Sequence, residues 1–291
     1  MPMQDRHAIA NAYLTVAIKA VGAELCSLRD AVDQELLWQA GPTWPRHAPV
    51  LFPTIGEMNG HCLRHAGQTY PMGRHGFARD RRFAWLERNS TRCRLVLHDD
   101  GETRKHYPWA FKLEIDYVLD DDALEVATTI TNTGRVPLPA SAGMHPAFQW
   151  PLSDGVAKQA HTITFARPEP APIRRLNTDG LVLPDPVPTP VAGDTLRLDP
   201  ALFDADAIIM PDPASDSLRY GGPGTPQIEL SWSGYRQLGI WSKRDSDLLC
   251  IEPWHGTADP VGFTGDFETK PGLLHVPPGE KRALSYRIRV C

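Results

Sequence analysis

A chain of 291 residues, 42% hydrophobic and 22% charged, has ordinary globular composition and enough apolar surface to bury a core. With 30 Lys plus Arg against 35 Asp plus Glu, the net charge is −5 and no dense basic block stands out, which excludes the electrostatic footprint of a nucleic-acid binder. The N-terminal stretch lacks a charged leader with a sustained apolar region, no apolar run is long enough to span a bilayer, and five cysteines without CxxC spacing fit reduced thiols. The sequence therefore predicts a soluble cytoplasmic protein with neither a membrane nor a nucleic acid as partner.

Helical periodicity is scarce along the chain. Short β-rich runs recur instead: "YLTVAIKAV", "RCRLVLHD", "FKLEIDYVLD", "ALEVATTITNT", "TITFA", "QIELSWS", "LGIWSK" and "KRALSYRIRV". The turn "LDDDAL" and the stretch "TNTGRVPL" separate strand candidates at hairpin distance, and "HCLRH", between Gly60 and Gly67, reads as a hairpin rather than a ligand helix. The 28 prolines and 23 glycines supply the breaks that an antiparallel architecture needs. These signals predict an all-β fold, a large antiparallel sandwich with few short helices. One helix is expected near "DPALFDADAI", with Asp199 as cap and Pro200 in its first turn. The Pro-rich segment "ARPEPAPIRRLNTDGLVLPDPVPTPVAGDTLRLDP" is expected to be a surface excursion of a single domain spanning 1–291, since strand signals resume after it without a change of composition.

Three polar groups stand in unusual surroundings. In "PMGRHGFARDRRF", His75 lies on a Gly-rich turn with Arg79 four residues on; alone, this also reads as a solvated turn. In "SAGMHPAFQWPL", Pro146 pushes His145 towards extended backbone, so the imidazole ends a strand. In "LLCIEPWHGTAD", a buried-strand run delivers Glu252 to the edge of an apolar wall, either as a salt-bridged strand end or as a working base whose pKa burial raises. Trp254 and Trp150 are candidate flat faces for a sugar ring, or half-buried core residues.

Four stretches, "APVLFPTIG", "HGFARD", "GMHPAF" and "CIEPWHGTAD", occur in an order and spacing that resemble the aldose 1-epimerase family, the galactose mutarotase-like proteins. "GAELCSLRDAVDQELLWQ" also resembles that family's opening hairpin. The resemblance implies a mutarotase-type sandwich with a sugar cleft, and an isomerase that opens and recloses a hemiacetal without metal or cofactor. By motif position Glu252 matches the base, His145 the acid and His75 the second histidine that holds a sugar oxygen. Arg79 is assigned to hydroxyl binding and Trp254 to the substrate's apolar face. The chemistry suits these types independently, since opening a hemiacetal requires one proton taken and one given.

The sequence also departs from the family. Where members often carry a basic residue after "FPxxG", this chain has Glu57, Met58 and Asn59, and no counterpart of the sugar-binding aspartate is evident. The arginines 74, 79, 81 and 82, with Lys243 and Arg244, admit a hexose phosphate as substrate. Three other readings stay open: a metal-dependent hydrolase using His75, His145 and Glu252, a non-catalytic sugar sensor, and a glycosidase, for which a second carboxylate is lacking. The sugar is not specified, and a homodimer is admitted but not required.

Overall fold

The computed structural model describes residues 5–291. Its strands pair antiparallel throughout, in two main sheets and three small ones. The nine-stranded sheet has at its centre Lys281–Val290, Ala123–Asn132 and Phe111–Asp120. In Phe111–Asp120 every second residue is buried, as a strand with one face on a core requires. Its partner follows after Asp121 and Asp122, with Asp121 at φ +49°, a conformation that Asp tolerates in a tight hairpin. All eight strand runs expected from the sequence are strands here.

The second sheet runs in the order Ile208–Met210, Gln237–Trp241, Leu248–His255, Ala142–Met144 and Val50–Leu51, with Ala147–Gln149 also pairing Leu248–His255. Leu113, Ile115 and Tyr117 of the large sheet share one buried cluster with Val50, Phe148, Ile240 and Ile251 of the small one, so the two sheets form a sandwich. Along Leu248–His255 the alternation splits the strand between two environments. Leu249 and Ile251 enter that core, whereas Cys250 and Trp254 belong to clusters on the other face, which is the floor of a cleft.

Some local expectations change. The helix at Asp199 is a single 3-10 turn, Pro200–Phe203, whose Ala201 amide donates to the Asp199 side chain at 2.8 Å. "TNTGRVPL" is not a hairpin: Leu138–Ala140 leaves the large sheet and pairs with Leu274–Val276. "HCLRH" is a hairpin strand, Cys62–His65 against Gln68–Pro71. The Pro-rich segment bonds back to the small sheet through Arg174 and Ile209 and to the 256–261 loop through Val182. The five cysteines are free thiols, and no helix among the described residues is long and apolar enough to cross a membrane.

Two loops at the cleft are tied by a buried ion pair. Lys270 Nζ lies 3.0 Å from Asp259 Oδ1 and donates to the Thr257 carbonyl at 2.7 Å, with both side chains sealed from solvent. Asp259 in turn accepts from the Asn59 amide at 2.9 Å, and its own amide donates to the Glu57 carbonyl. Breaking such a pair strands a charge in a low-dielectric interior. Lys270→Met is expected to lower unfolding free energy by roughly 3–5 kcal/mol in urea denaturation, and adding Asp259→Asn should restore part of the loss. A single variant as stable as the parent would show that the pair does not hold these loops.

Candidate active site

The sheet register brings the two most telling residues together. Gly143 pairs with Trp254 and Ala147 pairs with Cys250, so continuing the same register across the gap sets His145 opposite Glu252. Pro146 has no N–H to give to the ladder there, and one bond remains, from the Ile251 amide to the Pro146 carbonyl at 3.3 Å. His145 Nε2 lies 3.3 Å from Glu252 Oε2, with the residues 6% and 1% exposed. Sequence reasoning set Glu252 at a strand edge. The strand instead continues through Pro253 to His255 as an inner strand of its sheet, and the carboxylate rises from the cleft floor.

His75 reaches the same pocket from the turn after Gln68–Pro71. It has φ +65°, its amide donates to the Gly56 carbonyl at 2.8 Å, and the Gly56 amide donates to its Nδ1 at 3.1 Å. That bond makes Nδ1 the acceptor and leaves the proton of the neutral ring on Nε2. The next residue has to be glycine: Gly76 has φ +72°, and a Cβ there would lie 2.2 Å from the Phe52 carbonyl oxygen. The stretch is thus both a turn and a wall of the site. Arg79 follows on the 3-10 turn Ala78–Asp80.

His75, His145, Arg79, Glu252 and Trp254 all line one cavity of about 130 Å³. Burial pushes the Glu252 carboxyl well above the usual range, against the pull of a hydrogen bond from Trp254, with the Asp206 charge adding to the rise. Burial, reinforced by Arg79, pulls the His145 imidazolium down to about 3. His75 is lowered by burial and by the neighbouring His145 and Arg79. Burial thus disfavours the charged form of each member of the pair, favouring the protonated carboxyl and the neutral imidazole.

Trp254 is 5% exposed, and its Nε1–H donates to Glu252 Oε2 at 3.2 Å. Its indole lies against Gly143 and Gly239, where a Cβ would come within 2.7 Å and 2.5 Å of the ring. This geometry fits a clamp on the carboxylate more directly than an open platform for a sugar. Trp150 is outside the site: it is 1% exposed and donates to the Lys158 carbonyl, as a core tryptophan. The half-buried rings at the cavity are Trp44 and Trp241, which no sequence pattern singled out.

The structure also supplies groups the sequence hid. Asp206, at φ +63° just before the strand Ile208–Met210, lines the cavity and brings a second carboxylate near Glu252. Arg74 is held there by Glu57, whose Oε2 accepts from its Nε at 3.3 Å, so a cation arrives from another loop where the "FPTIGEMN" segment itself has none. Arg81 packs over Phe77 and Arg82 pairs with Asp5. Lys243 and Arg244 line an adjoining groove of about 980 Å³ that shares Leu176, Asp206 and Trp241 with the cavity. Among the described residues, the His145, Cys250 and Glu252 donor atoms lie within 4.8 Å of one another, a set that does not include the His75 of the rival hydrolase reading. Arg74 and Arg79 around the same cavity oppose a divalent cation by charge.

Trp254→Phe removes the one hydrogen bond that favours the ionised Glu252. Because that bond lowers the pKa, its loss is expected to move the Glu252 titration to higher pH in a carbon-13 NMR titration of its carboxyl. An unmoved titration would show that the indole does not act on the carboxylate.

Comparison with known proteins places the chain in a family. The aldose 1-epimerase family matches residues 5–265. The chain is 29% identical to the plasmid-borne protein LacX of Lactococcus lactis subsp. lactis, over 97% of this chain and 98% of that one. Among solved structures it superposes on a galactose mutarotase-like protein from Lactobacillus casei with TM-score 0.91 and 30% identity, covering 98% and 100% of the two chains. A galactose mutarotase related enzyme from Lactobacillus acidophilus gives TM-score 0.89 at 29% identity, covering 98% and 97%. The sandwich is therefore of the galactose mutarotase-like type, and the chain belongs to the aldose 1-epimerase family.

Proposed function

We propose that the protein is an aldose 1-epimerase interconverting the α and β anomers of a free aldose, with the whole chain acting as one catalytic domain. The observation that carries this reading is the 3.3 Å contact between His145 Nε2 and Glu252 Oε2 on the floor of the cavity. The anomeric hydroxyl and the ring oxygen hang on the same carbon, so the acid and the base that open a hemiacetal must have adjacent tips. A cavity of about 130 Å³ suits a single sugar ring. The free thiols fit a reducing, cytoplasmic setting.

In this mechanism the Glu252 carboxylate removes the proton of the anomeric hydroxyl while the His145 imidazolium protonates the ring oxygen. The bond from C1 to the ring oxygen breaks and a C1 carbonyl forms. After rotation about C1–C2, the freed hydroxyl attacks the other carbonyl face, His145 takes its proton back and Glu252 returns its own. The competent pair, carboxylate beside imidazolium, has the same proton count as a protonated carboxyl beside a neutral imidazole, so one proton shift across 3.3 Å interconverts them. His75 donates its Nε2 proton to a sugar oxygen, Arg79 binds hydroxyls, and Trp254 holds Glu252. Asp206 gives the cavity the second carboxylate that a glycosidase would need, but the group at 3.3 Å from Glu252 is the His145 imidazole, which supports the epimerase reading.

A second reading, a phosphorylated hexose, is favoured by one observation. Arg79 Nε is buried with no hydrogen-bond partner, and its nearest carboxylate, Asp80, stays 3.7 Å away while bonding Arg46 at 2.9 Å. Saturation-transfer NMR on galactose, glucose and their 6-phosphates separates the readings by which anomers exchange faster. Acceleration of none would leave a non-catalytic sugar binder.

With the sugar that exchanges, Glu252→Gln and His145→Asn are each expected to slow exchange by about 10²-fold or more while retaining most of the affinity in calorimetry. Wild-type exchange in either folded variant would remove that residue from the mechanism. The protons move only between oxygens, so turnover in heavy water should leave the sugar's C–H signals intact, whereas deuterium at C2 would indicate an aldose–ketose isomerase.

Stability gives an independent check on Glu252. A carboxyl whose folded pKa lies above its unfolded value binds its proton more tightly in the native state, so its stabilising contribution is present at low pH and lost as pH rises through the folded pKa. Glu252→Gln has no such loss. Its stability relative to wild type is expected to grow with pH in urea melts, and a constant difference would contradict the buried, proton-retaining carboxyl.

A further inference from the structure

His145 lacks the usual device for orienting a catalytic imidazole. Such rings are commonly fixed by a hydrogen bond from the second nitrogen to a carbonyl or carboxylate, but His145 Nδ1 is buried with no hydrogen-bond partner. What the ring has instead is an aromatic cage. The Trp44 indole stacks on it at 5.1 Å between centroids with the planes 26° apart, and Trp241 and His75 meet it edge-on at 6.0 Å and 5.4 Å. Trp44 is seated in its own loop, its amide donating to the Gly41 carbonyl at 3.0 Å and its carbonyl accepting from Trp38 Nε1 at 2.8 Å.

We infer that Trp44 is a positioning residue for His145: its indole face fixes the imidazole plane with Nε2 towards Glu252 and favours the imidazolium that protonates the ring oxygen. The inference rests on the epimerase reading of the site. A face-on indole attracts a cation through its quadrupole, most strongly where water is excluded. The charges around His145 leave that contribution room to matter. Arg79, from the 3-10 turn Ala78–Asp80, and Arg46, from the loop that carries Trp44, oppose an imidazolium. The ring's own backbone, Glu252 and Glu24 favour it, while Cys250 and His75 face the ring as neutral groups. Trp44 is the side chain that supports the cation without a counter-charge that would compete for the sugar's protons.

This role has a pH signature that a merely structural one lacks. Losing the stack destabilises every state with a charged His145, both the doubly protonated pair and the competent tautomer, and leaves the neutral pair untouched. Trp44→Leu is therefore expected to lower kcat/KM by about tenfold on the plateau and to move the acid limb about one pH unit lower, with the alkaline limb in place. Trp44→Phe, which keeps an aromatic face, should recover most of the rate. In a His145→Asn background, Trp44→Leu should add nothing. If Trp44→Leu leaves rate and acid limb unchanged, if Phe rescues no better than Leu, or if the Leu effect persists in full without His145, the inference is overturned. Should His145→Asn itself exchange anomers at the wild-type rate, the epimerase mechanism fails first, which separates the two failures.

Discussion

The site depends on an interruption in one sheet. Where His145 and Glu252 face each other across the small sheet, each is followed by a proline, and the pairing with Leu248–His255 lapses over residues 144–146, crossed by one bond from the Ile251 amide to the Pro146 carbonyl, before resuming in the same register. A regular ladder would occupy the backbone with hydrogen bonds and leave cross-strand side chains standing in parallel. The interruption keeps the register, and with it the facing of the two residues. An acid and a base on neighbouring strands of one sheet are held more rigidly than a pair on two loops, and small errors of placement are costly in proton transfer.

Placing these groups on a sealed floor sets their electrostatics. A carboxyl and an imidazole in water would exist mainly as carboxylate and neutral ring at neutral pH. Here burial raises one and lowers the other, disfavouring the charge on each. In the proposed mechanism one proton sits on either the carboxyl or the imidazole. The Trp254 N–H and the Trp44 face act on opposite ends of that choice, the first favouring the carboxylate and the second the imidazolium. Two aromatic residues with no proton to exchange thus bias where the proton sits.

The loops around the floor are braced from behind. The buried Lys270–Asp259 pair fixes the 256–259 loop, Asp259 fixes the backbone of 57–59, and Gly56 holds His75 through both its amide and its carbonyl. Glu57 then anchors Arg74 beside the cavity. The chain of contacts runs from a fully buried ion pair to a side chain that lines the pocket, so stability far from the floor is converted into placement at it.

The sequence by itself determined the fold class and marked residues that gather at one cavity. Alternating runs such as "FKLEIDYVLD" allow only strands, and Pro and Gly fix where strands end, because these are local constraints of period and backbone geometry. His75, Arg79, His145, Glu252 and Trp254 could be read from short motifs, and they line one cavity. What tertiary structure alone decided were contacts between segments far apart in the chain. Trp44, Asp206 and Trp241 carry no local mark, since each is ordinary in its own segment and is drawn to the cavity only by packing. The same reason separates the two tryptophans that looked alike: Trp150 and Trp254 each follow a strand-like run, but register turns Trp150 into the core and Trp254 onto Glu252. A side chain's neighbours along the chain fix its backbone, whereas its neighbours across the sheet fix its use.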